Sequence, residues 1–437
     1  VTGAPSGRTR AFPVPDARNR VRPMATSRRN FVFFLGIGGA SVAALTGAGF
    51  LYRAVDRGSF SDLQSGQPFE PWHEWRHRQM SDIEGVALAG TLASSFFNTQ
   101  PWLLRLYGDV IDLFFNRRAT TPLLDPYFRS ALIGLGACIE NMVTGAEGLG
   151  LSASVTLFPD REDHDHIARL TLAPSKPRQT PRFLAIGNRH TNRSAYEPGQ
   201  LPPPDVMPTL LGLAPGSRAH LDLFPAASPK GRYFAESVLL AARASLEDPA
   251  MLIEQFRWFR QTMTQVQTTK DGLSFIGTGL TDLQVRTAMA LPTLREDDYA
   301  TFMLDQTRTV QLPNSALFGV LTVDNADDPA QMLEARRLLQ RLHLEATAQG
   351  LALQALSYPN WMADREIARR QAFSFRGSFT GRIATLAGGR GTMVLGLRMG
   401  YATRPARATS RRPLPYVLLP RAGSVRAVPN GEGPGPR

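Results

Sequence analysis

Apolar positions spaced three and four apart begin at Ile83 and run through Val86, Ala87, Ala89 and Leu92, the stripe of an amphipathic helix. A breaker follows at Asn98-Thr99-Gln100-Pro101-Trp102. Two short apolar runs, Leu103–Tyr107 and Val110–Phe115, flank Gly108-Asp109 and predict a β-hairpin. The stretch from Arg129 to Gly150 predicts a long amphipathic helix closed by glycine. A second strand pair is predicted at Ser152–Phe158 and Ile167–Leu172, around a polar turn at 159–166. Pro174, Pro177 and Pro181 then mark a linker.

The pattern restarts near Phe183. Helices are predicted over 229–246 and 250–262, and a glycine-containing stretch at 272–282 precedes a further helical region. Ala316–Val323 predicts a core strand, Asp328–Gly350 a long helix and Leu351–Leu356 another strand. Short strands at Val394–Leu397 and Tyr416–Leu419 complete the series. Strands and helices are interspersed throughout, which predicts an α+β fold.

Composition bounds this picture. A chain of 437 residues with 43% hydrophobic content can bury a large core in one unit or two subdomains. The single cysteine, Cys138, excludes an internal disulfide framework and reads as a small buried filler in the run Leu135–Ile139. The net charge of +12 suggests nucleic-acid binding until it is mapped along the chain. Residues 1–30 hold seven arginines and one aspartate, and residues 401–437 hold seven arginines and one glutamate. The body between them is close to neutral, so no basic stripe is expected on the folded surface and no nucleic-acid partner.

Ser27-Arg28-Arg29-Asn30 precedes the glycine- and alanine-rich apolar run Phe31–Tyr52, the pattern of a twin-arginine export signal. The expected location is the periplasm or the outer face of the cytoplasmic membrane, reached through the twin-arginine translocase and with 31–52 as a possible anchor. Met24 stands just before this signal, so residues 1–23 read as an upstream misread start. The expected organisation is a signal at 24–52, a linker and first helix at 53–80, a first half at 81–175, a second half at 181–420 and a tail at 421–437.

Several clusters carry candidate chemistry. His73-Glu74-Trp75-Arg76-His77 fits the H-E-x-x-H zinc pattern. Its extended form fails because Met80 and Ile83 stand where glycine and histidine are needed. An amphipathic helix packing Trp72 and Trp75 is the simpler reading. Gly388-Gly389-Arg390-Gly391 lacks the lysine and hydroxyl of a phosphate loop and reads as a turn. Arg189-His190-Thr191-Asn192-Arg193 brackets a hydroxyl residue with two arginines. If a helix or turn begins there, it can hold a phosphate or an electron-rich ring edge; a solvated basic turn is the alternative. Ser410-Arg411-Arg412 is a second arginine–hydroxyl cluster that can converge on the same phosphate.

Three segments together resemble the nitroreductase superfamily, in particular its fused Acg-like branch. Ser94-Ser95-Phe96-Phe97-Asn98-Thr99-Gln100-Pro101-Trp102 is similar to P-S-x-x-N-[ST]-Q-P-W, and Arg189–Arg193 to R-x-[ST]-x-[RK]. Leu397–Tyr401 followed by Ser410–Leu414 is similar to the R-x-G-Y…S-x-R-P-L ending. The resemblance spans roughly residues 70–420. It implies an FMN oxidoreductase of α+β nitroreductase fold, in which two related halves of one chain imitate the usual dimer around a single flavin. It further implies that Arg189 and Thr191 contact the phosphate and ribityl chain, with Arg411 and Arg412 closing on the phosphate. Arg193 would face the pyrimidine edge, where a cation favours the reduced ring. Ser95, Asn98 and Gln100 would line the ring from the other half.

The chain departs from the pattern at Ser94, which replaces proline, and at the bulky Phe96. Leu356-Ser357-Tyr358 stands where many members carry a Glu-Gly pair, so Ser357 or Tyr358 is expected at the flavin's reactive nitrogen. The expected activity is ping-pong hydride transfer between an unspecified donor and acceptor. A non-catalytic FMN-sequestering protein is the alternative, and a zinc peptidase on His73 and His77 the lesser one.

Overall fold

The computed structural model describes residue 56 and residues 62–420, apart from 78–81, 215, 292 and 371–377. The twin-arginine stretch, the apolar run 31–52 and the tail 421–437 lie outside the described residues. Among the described residues no helix is long and apolar enough to cross a membrane.

The first part opens with α1 (Glu70–His77) and α2 (Asp82–Thr91). Strands β1 (Trp102–Tyr107) and β2 (Val110–Phe115) form the expected hairpin, turned by Gly108 at φ +54°. Helix α3 (Arg129–Leu149) follows, then β3 (Leu151–Leu157) and β4 (His166–Pro174). In β3, Ser152, Ser154 and Thr156 are exposed while Leu151, Ala153, Val155 and Leu157 turn inward, the period of two that places a strand on a core.

The second part contributes β5 (Ala219–Pro225), the short parallel pair β6 (Phe259–Arg260) and β7 (Leu273–Ser274), and β8 (Leu317–Val323). Helix α4 (Pro329–Ala348) starts where Asp328 accepts from the Ala330 amide. Then come β9 (Ala352–Ala355) and β10 (Thr392–Gly400). The architecture is α+β, with two four-stranded antiparallel sheets in the orders β1-β2-β4-β3 and β5-β8-β10-β9. Each sheet runs first, second, fourth, third along its own chain order, and each has its long helix after the second strand.

The two long helices cross where α3 has no side chain. A Cβ on Gly136 would lie 2.5 Å from Arg336 Cβ and 2.6 Å from the Leu333 carbonyl. Leu333 of α4 enters the core around Leu135 and Ile139, and Ile133 of α3 enters the core around Leu338 and Leu342. Polar pairs fix the register of the crossing. Gln340 Nε2 donates to Asn141 Oδ1 at 2.7 Å, and Arg337 Nε to Glu140 Oε2 at 2.9 Å. At the α3 N-terminus, Phe128 offers no cap, and Asp125 accepts instead from the Ser130 and Ala131 amides at 2.9 and 2.8 Å.

Several expectations differ from what is observed. Tyr416–Leu419 is not a strand: a 3-10 turn covers Leu414–Tyr416, and only Leu418 bridges, in parallel, to Leu104 of β1. The last described stretch therefore returns to the first sheet, with Leu104 N donating to the Val417 carbonyl at 2.8 Å. The 250–262 helix stops at Arg257, and Phe259–Arg260 pairs as β6. β5 and the helices Tyr358–Arg369 and Phe379–Ala387 were absent from the sequence pattern.

Gly136→Val should overpack the crossing and lower unfolding stability by about 2 kcal/mol in a denaturant melt. Asp125 supplies a second prediction, because burial raises its carboxyl to about 7. Its stabilising contribution is full below the ordinary carboxylate range near 3.8 and is lost as pH rises through about 7. Melts of Asp125→Asn between pH 5 and 8 should show a flatter pH dependence than the parent chain.

Candidate functional site

The helix Pro181–Ala185 is capped by Thr180, whose hydroxyl accepts from the Phe183 amide. From Arg189 to Arg193 the chain then forms neither helix nor turn. The expectation of a helix N-terminus at this motif is thus corrected. The extended backbone instead divides its side chains between two sides. His190 lines an outer cleft of about 890 Å³. Thr191 and Arg193 line two adjoining cavities of about 400 and 110 Å³.

Arg189 and Arg411, far apart in sequence, meet at the end of α2. Arg189 Nη2 donates to the Leu92 carbonyl at 3.0 Å, and Arg411 Nη2 to the Ala93 carbonyl at 2.9 Å. Helix carbonyls left over at a C-terminus carry partial negative charge, which steadies both cations. Burial pushes Arg189 down to about 10 and Arg411 well below its ordinary value, with Arg189 adding repulsion on Arg411. Arg411 also lies 4.9 Å from the Trp72 ring centroid, and Trp72 Nε1 donates to the Thr409 carbonyl at 2.8 Å.

Two histidines complete this cluster. His343 Nδ1 lies 3.5 Å from Arg189 Nη1, and His190 packs edge-on against Trp72. Burial and the neighbouring arginines hold both imidazoles well below 6.5, hence neutral. Arg189 Nε, Arg411 Nε, His190 Nδ1 and His343 Nε2 are buried without a hydrogen-bond partner. Among the described residues no carboxylate pairs with either arginine. Neither arginine lines the three cavities, whereas the adjoining His190 and His343 do.

The other expected residues have different duties. Ser95 lines the 110 Å³ cavity, and its Oγ accepts from the Gln100 amide at 3.0 Å. Asn98 and Gln100 are buried brackets and do not line that cavity. Asn98 Nδ2 donates to the Ser410 and Gly272 carbonyls at 2.9 and 3.1 Å, and its Oδ1 accepts from Arg411 at 2.7 Å. Gln100 Nε2 donates to the Lys270 carbonyl at 2.8 Å, and its Oε1 accepts from the Arg412 amide at 2.8 Å. Both residues hold left-handed φ angles of 55° and 54°. Ser410 is buried and accepts from Asn98. Arg412 does not join Arg189 and Arg411, because its guanidinium is committed to Asp271 and to the Thr99 and Gln100 carbonyls.

Arg193 lines both of the adjoining cavities. Its Nη1 donates to the Gly277 carbonyl at 2.9 Å, burial lowers its pKa, and no described carboxylate pairs with it. Opposite it lie Ser357 and Tyr358, at the start of the helix Tyr358–Arg369. Burial raises the Tyr358 phenol to about 12. Phe96, Phe97, Tyr358 and Trp361 pack ring to ring here, with Trp361 4.5 Å from Phe96 and 4.8 Å from Tyr358.

Sequence reasoning missed His343 and Trp361, which sit mid-helix with no motif around them. It also missed the part played by Arg398. This fully buried arginine donates to Gln354 Oε1 at 2.7 Å and to the Gln311 and Ser194 carbonyls at 2.9 and 2.8 Å. It thereby ties the 189–194 segment to β9 and to the π-helical turn Gln306–Gln311. The alternating apolar run of β10 around a single arginine was the available signal. The zinc pattern finds no support. His73 and His77 are exposed on α1 while Trp72 and Trp75 are buried, and no described group of three or more His, Cys, Asp or Glu could hold a metal.

No family model matches the chain. A Mycobacterium tuberculosis protein provisionally named NAD(P)H nitroreductase Rv3131 is 33% identical over 130 residues, covering 29% of this chain and 38% of the relative. The match thus spans well under half of that relative's length. A second protein from the same organism, provisionally named NAD(P)H nitroreductase Acg, is 25% identical over 360 residues, covering 79% of this chain and 97% of the relative. A third, the uncharacterized Rv3127, is 27% identical over 122 residues, or 26% of this chain and 36% of the relative. Two of these three relatives carry nitroreductase names, and the similarity to Acg runs over most of both chains.

Asn98→Ala should leave Arg411 and Ser410 without their buried partner. We expect a loss of about 1–3 kcal/mol in chemical denaturation.

Proposed function

We propose that the chain is a flavin oxidoreductase of nitroreductase type that holds FMN along Arg189–Arg193 and passes electrons, in a ping-pong cycle, from a donor to a small-molecule acceptor. The observation that carries this reading is Arg193, a half-buried cation without a described carboxylate partner on the wall shared by two adjoining cavities. Arg189, Arg411 and Thr191 would hold the phosphate and ribityl end, and Arg193 the pyrimidine edge. Bound flavin supplies the hydride chemistry. The chain supplies positive charge where the reduced ring gains negative charge, and aromatic walls that exclude water. The shared strand order of the two sheets supports two related halves that imitate a dimer within a monomer. The arginine pair at 28–29 and the apolar run after it support export through the twin-arginine translocase.

The packed rings of Phe96, Phe97, Tyr358 and Trp361 favour a second reading, in which the protein retains FMN without turnover. Flavin that stays bound but is reduced by no donor would select it.

Purified full-length protein should show flavin absorbance. Arg193→Ala should keep the flavin yet slow acceptor reduction about a hundredfold. Arg189→Ala combined with Arg411→Ala should release the flavin into the filtrate. Flavin retained at full occupancy in that double variant would sink the assignment.

A further inference from the structure

The outer cleft of about 890 Å³ lies beside the cavities of the flavin reading. It is large enough for a nucleotide-sized ligand. Its floor carries Asn188, His190 and Asn192, the residues of the motif that alternate with the flavin-facing set. His190 Nδ1 is enclosed there without a partner, and burial together with nearby Arg189, Arg411 and Arg76 keeps the ring neutral. The charged side chains of the lining are Arg76 and Arg404 against a single acid, Asp62. Asp62 is already accepting from the Gln64 amide at 3.0 Å. Both arginines are exposed, and no described carboxylate pairs with either. A concave site walled by protein focuses the field of such cations onto an anion.

The cleft also continues inward. Gln64, Asn192 and Arg404 line both it and the 400 Å³ cavity that Arg193 reaches. We infer that this outer cleft binds a phosphate ester of nucleotide size, with the phosphates between Arg76 and Arg404 and the neutral His190 and amide side chains bonding the polar remainder. The ligand is separate from the flavin, and its binding does not depend on the flavin reading.

Isothermal titration of the full-length protein with ADP tests this, with inorganic pyrophosphate as the comparison and flavin content measured on the same samples. ADP should bind with a stoichiometry near one and more tightly than pyrophosphate. Arg76→Glu with Arg404→Glu should weaken ADP roughly tenfold or more while the melting temperature holds. Because both side chains are exposed, this variant should fold. His190→Phe gives a second arm and should weaken ADP without changing pyrophosphate binding. The inference is overturned if ADP gives no heat, if pyrophosphate binds as tightly as ADP, or if the double charge reversal leaves ADP affinity unchanged.

Discussion

Gly136 leaves no room for a side chain, and the distance between the two long helices follows from that. With Arg336 Cβ and the Leu333 carbonyl pressed against its Cα, α3 and α4 approach closely enough for each to enter the other's core. Interiors pack at the density of organic crystals, so such a contact tolerates little adjustment. The contact also sets the site. Two residues before Gly136, a Cβ on Gly134 would meet Pro101 Cδ at 2.9 Å and Ser95 Cβ at 3.0 Å, so α3 seats the turn that carries Ser95–Gln100. Seven residues after Arg336, α4 carries His343 to Arg189. Through Ser95 and His343 the crossing therefore positions two walls of the 110 Å³ cavity.

Charge is handled differently in the parts of this site. Arg412 and Arg260 share Asp271, an ordinary enclosed ion pair. Arg398 is buried without an acid but is satisfied by carbonyls and Gln354 and lies 3.9 Å from the Tyr196 ring centroid. Arg189 and Arg411 are buried together, and only helix-end carbonyls and neutral side chains face them. Burying like charges side by side is costly unless something negative compensates. Their proximity thus lacks the compensation that Arg412 has in Asp271.

Much of the fold was legible along the chain. The hairpin at Gly108, the α3 stripe and the Asp328 cap each depend on residues adjacent in sequence, so local pattern suffices for them. β5 was not, although His220 and Asp222 alternate with Ala219, Leu221 and Leu223, because the run is short, ends in proline and lies beside a polar helix start. The helix Tyr358–Arg369 was hidden by its charged residues, among them Asp364 and Arg365, which are buried by distant partners Arg129 and Asp248. At the site, the arginine motifs pointed to Arg189 and Arg411, which do meet. They could not separate Arg412 from Arg411, since the difference lies in Asp271, some 140 residues earlier. Nor could they show that Asn98 and Gln100 bracket the loop, since that depends on main-chain carbonyls at 270, 272 and 410.

The return of residues 410–418 to β1 has a consequence for biogenesis. Asn98 and Arg411 stand 313 positions apart in sequence, and Leu104 finds Val417 across a similar span. During synthesis the first sheet can form early, but its edge and the arginine cluster stay incomplete until the ribosome has delivered nearly the whole chain. Completion of the arginine cluster is therefore a late event, coupled to closure of this strap rather than to the folding of either sheet. A ribosome stalled before residue 410 would hold a largely structured product in which Arg189 still lacks Arg411 beside it.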